Sequence, residues 1–101
     1  MVPPKNTTAP EDTRAKLNCQ AEGYPNNITY RWFRDGTEIQ RIPGFMSRAG
    51  IYADGSLVIT SAVREDTGWY RCRPTNGLGQ PPEAEAYLSI TCKFKPCVMF
   101  P

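Results

Sequence analysis

Four cysteines, Cys19, Cys72, Cys92 and Cys97, are the residues of this chain best suited to forming covalent bonds. Disulfides persist in oxidising compartments, whereas reduced cytosolic domains usually use cysteine for metal binding or redox chemistry. The sequence contains no histidine. Ser-His and Cys-His pairs and imidazole metal ligands are therefore excluded. This combination favours disulfide crosslinking over catalysis, although four cysteines permit three different pairings.

Paired acids are the other residues that could do chemistry, and they occur at Glu11-Asp12 and Glu65-Asp66. Both pairs lie in turn-like segments. Neighbouring residues on an extended chain point to opposite sides, so neither pair has the geometry of a general acid and base. We expect solvated surface acids, no enzyme activity and no cofactor.

Two Asn-x-Thr triplets, at Asn6 and Asn27, are acceptor sites for N-glycosylation and indicate the secretory pathway. No stretch approaches the roughly 18 apolar residues of a membrane span, and the start of the chain lacks the apolar core of a signal peptide. We therefore expect a fragment of a longer protein. Its 101 residues suit one domain, and a net charge of +2 does not indicate a nucleic-acid partner.

Alternation of apolar and polar residues predicts short β-strands separated by turns. The clearest strands are predicted at 15–21, 28–34, 56–60, 68–73 and 83–90, with shorter ones at 37–40 and 48–52. Turns are predicted at Asp35-Gly36, at Asp54-Gly55 and over 76–79, and one helical turn over 63–67. This pattern is typical of an all-β sandwich or barrel.

Three inward-facing residues narrow the choice to one fold. Trp32 follows Cys19 by thirteen residues and Cys72 follows Cys19 by fifty-three, which is the Cys-Trp-Cys spacing of immunoglobulin domains. The resemblance implies a disulfide between Cys19 and Cys72, bridging two sheets about 10 Å apart, with the indole packed beside it. Such a crosslink should contribute about 4 kcal/mol. Leu57 is expected in the same core.

The segment from Asp66 to Cys72 resembles the D-x-G-x-Y-x-C signature of the immunoglobulin superfamily. In that superfamily the tyrosine, here Tyr70, bonds back to the backbone upstream, and the aspartate pairs with a basic residue, here Arg48. The predicted fold is therefore all-β: an immunoglobulin-like β-sandwich of the I-set type, with two antiparallel sheets joined by one inter-sheet disulfide. We expect the domain over 1–91 and a tail or linker over 92–101.

Segments 19–24 and 73–88 resemble an immunoglobulin module of the Turtle family of neuronal adhesion receptors. The resemblance implies an extracellular part of a single-pass cell-surface receptor that acts in axon or dendrite development. The tail departs from the family pattern, and we expect Cys92 and Cys97 to close a small disulfide loop. Alternatives are that both stay free in a disordered tail or pair with another molecule. A Cys₄ zinc site would need Cys19 and Cys72 as well.

A binding surface is predicted on the outward side of the sheet formed by the strands predicted at 28–34, 68–73 and 83–90, which correspond to strands C, F and G of the immunoglobulin fold. Its aromatic and arginine content has the composition of interface hot spots. Two copies related by a two-fold axis could set arginines against acids and give homophilic adhesion. Alternatives are a heparan sulfate strip, a structural spacer, or arginines merely stacked on Phe33 and Trp69. The residues of the predicted protein-binding surface are Arg31, Phe33, Trp69, Arg71, Arg73, Glu85 and Tyr87.

Overall fold

The computed structural model describes residues 3–20, 28–75 and 83–92, and within them eight strands form two sheets. The five-stranded sheet has the order β1-β8-β7-β3-β4 and the three-stranded sheet the order β2-β6-β5. The strands are β1 (Thr7–Pro10), β2 (Ala15–Leu17), β3 (Thr29–Arg34), β4 (Thr37–Glu38), β5 (Ala49–Ile51), β6 (Leu57–Ile59), β7 (Gly68–Thr75) and β8 (Ala84–Thr91). The predicted all-β class is confirmed.

Pairing is antiparallel within both sheets, except that β1 runs parallel to β8 along one edge. The sequence did not predict β1, because its periodic signal consists of the single buried residue Ala9 followed by Pro10. The prediction of two antiparallel sheets therefore holds except at this edge. Three one-turn 3-10 helices connect strands in the described chain, at Ile39–Arg41, Phe45–Ser47 and Arg64–Asp66.

The strand predicted over 37–40 is shorter in the structure. The turn before it is as expected: Asp35 and Gly36 have φ values of 48° and 88°, the positive values that a tight two-residue hairpin requires. β4 then ends at Glu38, and the chain enters a 3-10 helix that buries Ile39 completely. Burying this side chain against the core overrides the extended conformation that the local pattern favoured.

The core lies between the two sheets, as predicted. Cys19, which follows β2, is bonded to Cys72 on β7, with 6.5 Å between their Cα atoms. Trp32 on β3 lies directly beside Cys72 in the sheet and is completely buried. Leu57 and Tyr70 are buried with them. The zinc alternative is wrong, because the sulfurs of Cys19 and Cys72 are bonded to each other.

The residues of the superfamily signature make the contacts predicted for them. The hydroxyl of Tyr70 donates a 2.6 Å hydrogen bond to the backbone oxygen of Asp66. The guanidinium of Arg48 donates two bonds to the Asp66 carboxylate, at 2.8 and 2.9 Å. The backbone nitrogen of Val63 also donates to this carboxylate, at 2.9 Å. Together these bonds tie the 3-10 helix at 64–66 to the start of β5 and to β7. Only 1% of the Asp66 side chain is exposed, so the expectation of a solvated surface acid is wrong at this residue.

Candidate protein-binding surface

The outer side of the five-stranded sheet carries all seven residues predicted to bind a protein, and we call it the outer face. β7 alternates regularly, so its even-numbered residues enter the core while Trp69, Arg71 and Arg73 face outward. The register with β3 and β8 then brings the other predicted residues beside them. The cross-strand pairs are Trp69 with Tyr87, Arg71 with Phe33 and Glu85, and Arg73 with Arg31.

Aromatic side chains form two separate contacts on the outer face. The rings of Trp69 and Tyr87 meet edge to face, with their centroids 5.3 Å apart. Both remain open to solvent, with exposed fractions of 50% and 37%. The guanidinium carbon of Arg73 lies 4.7 Å from the centre of the Phe33 ring. The predicted stacking of an arginine on Phe33 is therefore present, whereas Trp69 packs against Tyr87.

The charges in the middle of the outer face are paired within the domain. Arg71 lies 3.1 Å from Glu85 and 3.3 Å from Glu83, and Arg73 lies 3.1 Å from Glu83. All four side chains are between a third and a half exposed, so each pair contributes under about 1 kcal/mol to stability. The network nevertheless holds the two arginines in place above the sheet.

Glu83 bridges both arginines. The alternation over 83–90 predicts that it faces outward with Glu85 and Tyr87, but it is not among the predicted binding residues. The signal was present in the chain. Acids at 83 and 85 alternate in the same way as arginines at 71 and 73, and these residues belong to predicted strands on either side of the turn over 76–79.

The heparan sulfate alternative predicts a cationic strip of Arg31, Arg34, Arg71 and Arg73, but acids lie beside three of these four arginines. Arg34 donates to the backbone oxygen of Glu65 and lies 3.9 Å from the Asp35 carboxylate. Arg31 is exposed and, unlike the other three, has no ion-pair partner among the described residues. An acidic residue of a partner would pair with Arg31 without displacing an acid of this domain.

Of the two predicted glycosylation sites, Asn6 lies beside the outer face and Asn27 lies outside the described residues. Asn6 is exposed, and its side-chain oxygen accepts a 2.9 Å hydrogen bond from the backbone nitrogen of Tyr87. Glycosylation at either residue stays a prediction.

Cys92 is disulfide-bonded, in keeping with an oxidised chain. Cys97 lies outside the described residues, so the Cys92–Cys97 loop stays a prediction. Among the residues that the structure describes, no helix is both long and apolar enough to cross a membrane.

Two facing sheets, a disulfide between them beside a buried tryptophan, and a tyrosine bonded back to the preceding turn define an immunoglobulin domain. The chain belongs to the immunoglobulin domain family, whose sequence model matches residues 1–76.

The predicted resemblance to Turtle proteins is also confirmed. The chain is 42% identical over 101 residues to Protein turtle homolog A of Mus musculus. It is 41% identical over 90 residues to Protein turtle of Drosophila melanogaster. These matches include 100% and 89% of the chain, which spans only 9% and 6% of the respective relatives.

Solved structures agree with the fold. The Ig-like domain of human leucine-rich repeat-containing protein 4 superposes with a TM-score of 0.73 at 27% identity, over 92% of this chain and 86% of that one. Sidekick-1 immunoglobulin domains 1–4 give a TM-score of 0.78 at 23% identity, over 89% of this chain and 23% of that one. At that identity the second likeness speaks for the fold alone.

Proposed function

We propose that this domain is an extracellular recognition module of a cell-surface adhesion receptor, and that it binds another protein through its outer face rather than catalysing a reaction. Similarity to the Turtle proteins supports the receptor context and, with it, a role in neuronal adhesion during axon or dendrite development. The parent chain would be a glycoprotein held in the plasma membrane by a single span. Heparan sulfate, nucleic acid and cofactors are not proposed as ligands.

The outer face is the observation on which the proposal depends most. Trp69 and Tyr87 are large amphipathic rings that stay half open to water, and Arg31 offers an exposed charge without an ion-pair partner in the described chain. Aromatic residues and arginine are the types that dominate binding energy in protein interfaces. Strand pairing holds them on a rigid sheet, so binding would order few additional side chains.

A second copy of the domain is the first partner to test, but the charge pattern disfavours the simplest two-fold contact between two copies. A two-fold contact between Arg71 of one copy and Glu85 of another would exchange an internal ion pair for an external one, with little net gain. A homophilic contact would therefore depend on the aromatic rings and Arg31 rather than on this pair.

The heparan sulfate alternative is disfavoured for the same reason, because Glu83 and Glu85 offset Arg71 and Arg73. A structural spacer remains the competing hypothesis, and it predicts no measurable partner.

Binding of the unglycosylated domain to itself and to cells displaying neuronal receptor ectodomains tests the proposal. Arg31→Glu and Trp69→Ala should each weaken the detected binding by about tenfold or more, as expected for residues of an interface hot spot. Two variants near the opposite sheet serve as matched controls: Lys16→Glu for the charge and Tyr52→Ala for the exposed aromatic. They should leave binding unchanged.

Several results would contradict the proposal. Equal loss in the controls and in the outer-face variants would place the contact elsewhere or indicate general destabilisation. Sedimentation at high concentration without self-association, together with no binding to the receptor panel, would favour the spacer. Retention on heparin beyond that on a plain cation exchanger, reduced by Arg31→Glu, would favour the polysaccharide.

A further inference from the structure

Asn6, which immediately precedes β1, lies in one row with Tyr87 on β8 and Trp69 on β7. Thr7 pairs with Leu88, so Asn6, one residue earlier, stands beside Tyr87, and Tyr87 pairs with Trp69 on the next strand. Leu88 faces the core, and residues alternate along a strand, so Asn6 and Tyr87 belong to the outer side. The acceptor triplet and the aromatic pair thus share one face.

The hydrogen bond between Asn6 and Tyr87 determines which atom of the Asn6 amide is available to carry a glycan. The backbone N–H of Tyr87 can only donate, so the Asn6 atom that faces it, at 2.9 Å, is the oxygen Oδ1. The nitrogen Nδ2, which is the atom that carries a glycan, is the other atom of the same group. A glycan on Nδ2 would therefore begin immediately beside the backbone of Tyr87.

The aromatic pair beside this amide still exposes apolar surface to solvent. Trp69 and Tyr87 are packed edge to face and remain 50% and 37% exposed. A sugar ring has a face of C–H groups that can pack on an aromatic ring while its hydroxyls stay in water. Because strand pairing already holds both rings, packing of this kind would order little of the protein.

We propose that the N-glycan on Asn6 packs over Tyr87 and Trp69, so that its first sugar residues cover the aromatic end of the outer face. Attachment would proceed from a lipid-linked oligosaccharide diphosphate: Nδ2 bonds to the sugar C1 as the C1–O bond breaks, the lipid diphosphate leaves with the bonding electron pair, and the proton lost from Nδ2 passes to solvent. The glycan then covers one end of the face, so a partner that contacts Trp69 and Tyr87 would bind only the form in which Asn6 is unoccupied, whereas Arg31, Phe33 and Arg73 stay open in both forms.

This inference rests on the extracellular placement in the proposed function, and the experiment separates the two. The domain is secreted from mammalian cells with Asn27→Gln throughout, so that Asn6 is the acceptor under study and the secretory pathway is imposed. Thr8→Ala removes the acceptor triplet but keeps the Asn6 bond to Tyr87. Thr8→Ser restores the triplet and is the matched control. Failure here would not bear on whether the domain binds a protein.

Tryptophan fluorescence gives a direct readout, because the chain has two tryptophans and Trp32 is completely buried. Quenching by acrylamide therefore reports mainly on Trp69. We expect the quenching constant to be lower by about two-fold in the glycosylated protein and in Thr8→Ser than in Thr8→Ala, because the sugar shields the indole. Equal quenching with Asn6 occupied, or an unoccupied Asn6 by mass spectrometry, would overturn the proposal.

Thermal unfolding adds an independent test. The glycosylated protein should melt about 4 °C above Thr8→Ala, and this difference should disappear when both proteins also carry Trp69→Ala. A glycan that raises the melting temperature equally with and without Trp69 would act elsewhere, and the proposal would be wrong.

Discussion

The indole nitrogen of Trp32 donates a 2.9 Å hydrogen bond to the backbone oxygen of Gly55, a residue 23 positions later in the chain. The bond is buried and connects the centre of the core to the turn before β6. It satisfies the polar atom of the largest core side chain, which would otherwise lose a hydrogen bond on leaving water. The turn is thus part of the core rather than a mere connection.

Gly55→Ala should lower the free energy of unfolding by about 3 kcal/mol or more. Gly55 has a φ of 99°, and an added Cβ would lie 2.0 Å from the backbone oxygen of Cys19 and 2.5 Å from the ring of Tyr30. The turn would have to move, and the bond to Trp32 would move with it. Urea unfolding followed by tryptophan fluorescence measures the effect.

Gly36→Ala provides the matched control for this prediction. Gly36 also has a positive φ, 88°, but an added Cβ would meet nothing within 4 Å. The substitution should cost only the strain of an alanine at a positive φ, about 1 kcal/mol of unfolding free energy. If Gly55→Ala were no worse than Gly36→Ala, close packing around the turn would not be the cause.

Arg48→Met should destabilise the domain by about 3 kcal/mol at neutral pH, because it leaves the Asp66 carboxylate without its main counter-charge. Only 1% of the Asp66 side chain is exposed. Arg71→Met is the matched control. Its acidic partners are more than a third exposed, so its loss should stay under about 1 kcal/mol. Denaturant unfolding of both variants at pH 7 checks the difference, and equal losses would contradict it.

The same ion pair predicts instability in acid. Burial of Asp66 disfavours its charged form, but hydrogen bonds from Arg48 and Val63 outweigh this effect and lower its pKa. A lowered folded pKa stabilises the domain above the unfolded value, about 3.9, and the stabilisation disappears as pH falls through the folded pKa. Asp66→Asn should be less stable at pH 7 and less sensitive to acid below about pH 4. An unchanged acid profile would show that other groups govern it.

Tyr70→Phe should lower the free energy of unfolding by about 1.5 kcal/mol, because the buried backbone oxygen of Asp66 loses its 2.6 Å partner. Tyr87→Phe, on the exposed face, should have little effect. Burial also raises the pKa of Tyr70. Wild-type stability should therefore fall as pH rises above the unfolded value, about 10, and this part of the loss should be absent in Tyr70→Phe. Equal alkaline profiles in pH-dependent urea titrations would contradict this assignment.

The core could be predicted because each of its signals lies within a short stretch of sequence. Alternation placed Cys19, Trp32, Tyr70 and Cys72 inward, and a known spacing joined them. The contact between Trp32 and Gly55 could not be predicted, because it depends on how a turn packs against a strand that is distant in sequence. Val58 is buried on the outer side of β6, against the alternation, for a similar reason: it lies between Lys16 and Gly50 of the neighbouring strands.

The outer face was predicted residue by residue, but its electrostatics were not. Alternation alone gave the outward position of Arg71, Arg73 and Glu85. Which acid each arginine meets depends on the register between β7 and β8. Without that register, the sequence does not distinguish an arginine that is paired within the domain from one that is available to a partner.

The two groups of cysteines should differ sharply in what they contribute to stability. Replacing both Cys19 and Cys72 with alanine should cost about 4 kcal/mol, because the 53-residue loop they close restricts the unfolded chain. Serine at both Cys92 and Cys97 should change stability by about 0.5 kcal/mol or less. A small loop confined to a tail after residue 91 would restrict the folded and unfolded chain alike. Guanidinium unfolding without reductant, with peptide mapping of the disulfides, measures both effects. A large loss from the tail variant would mean that the tail packs on the domain and that the domain extends past residue 91.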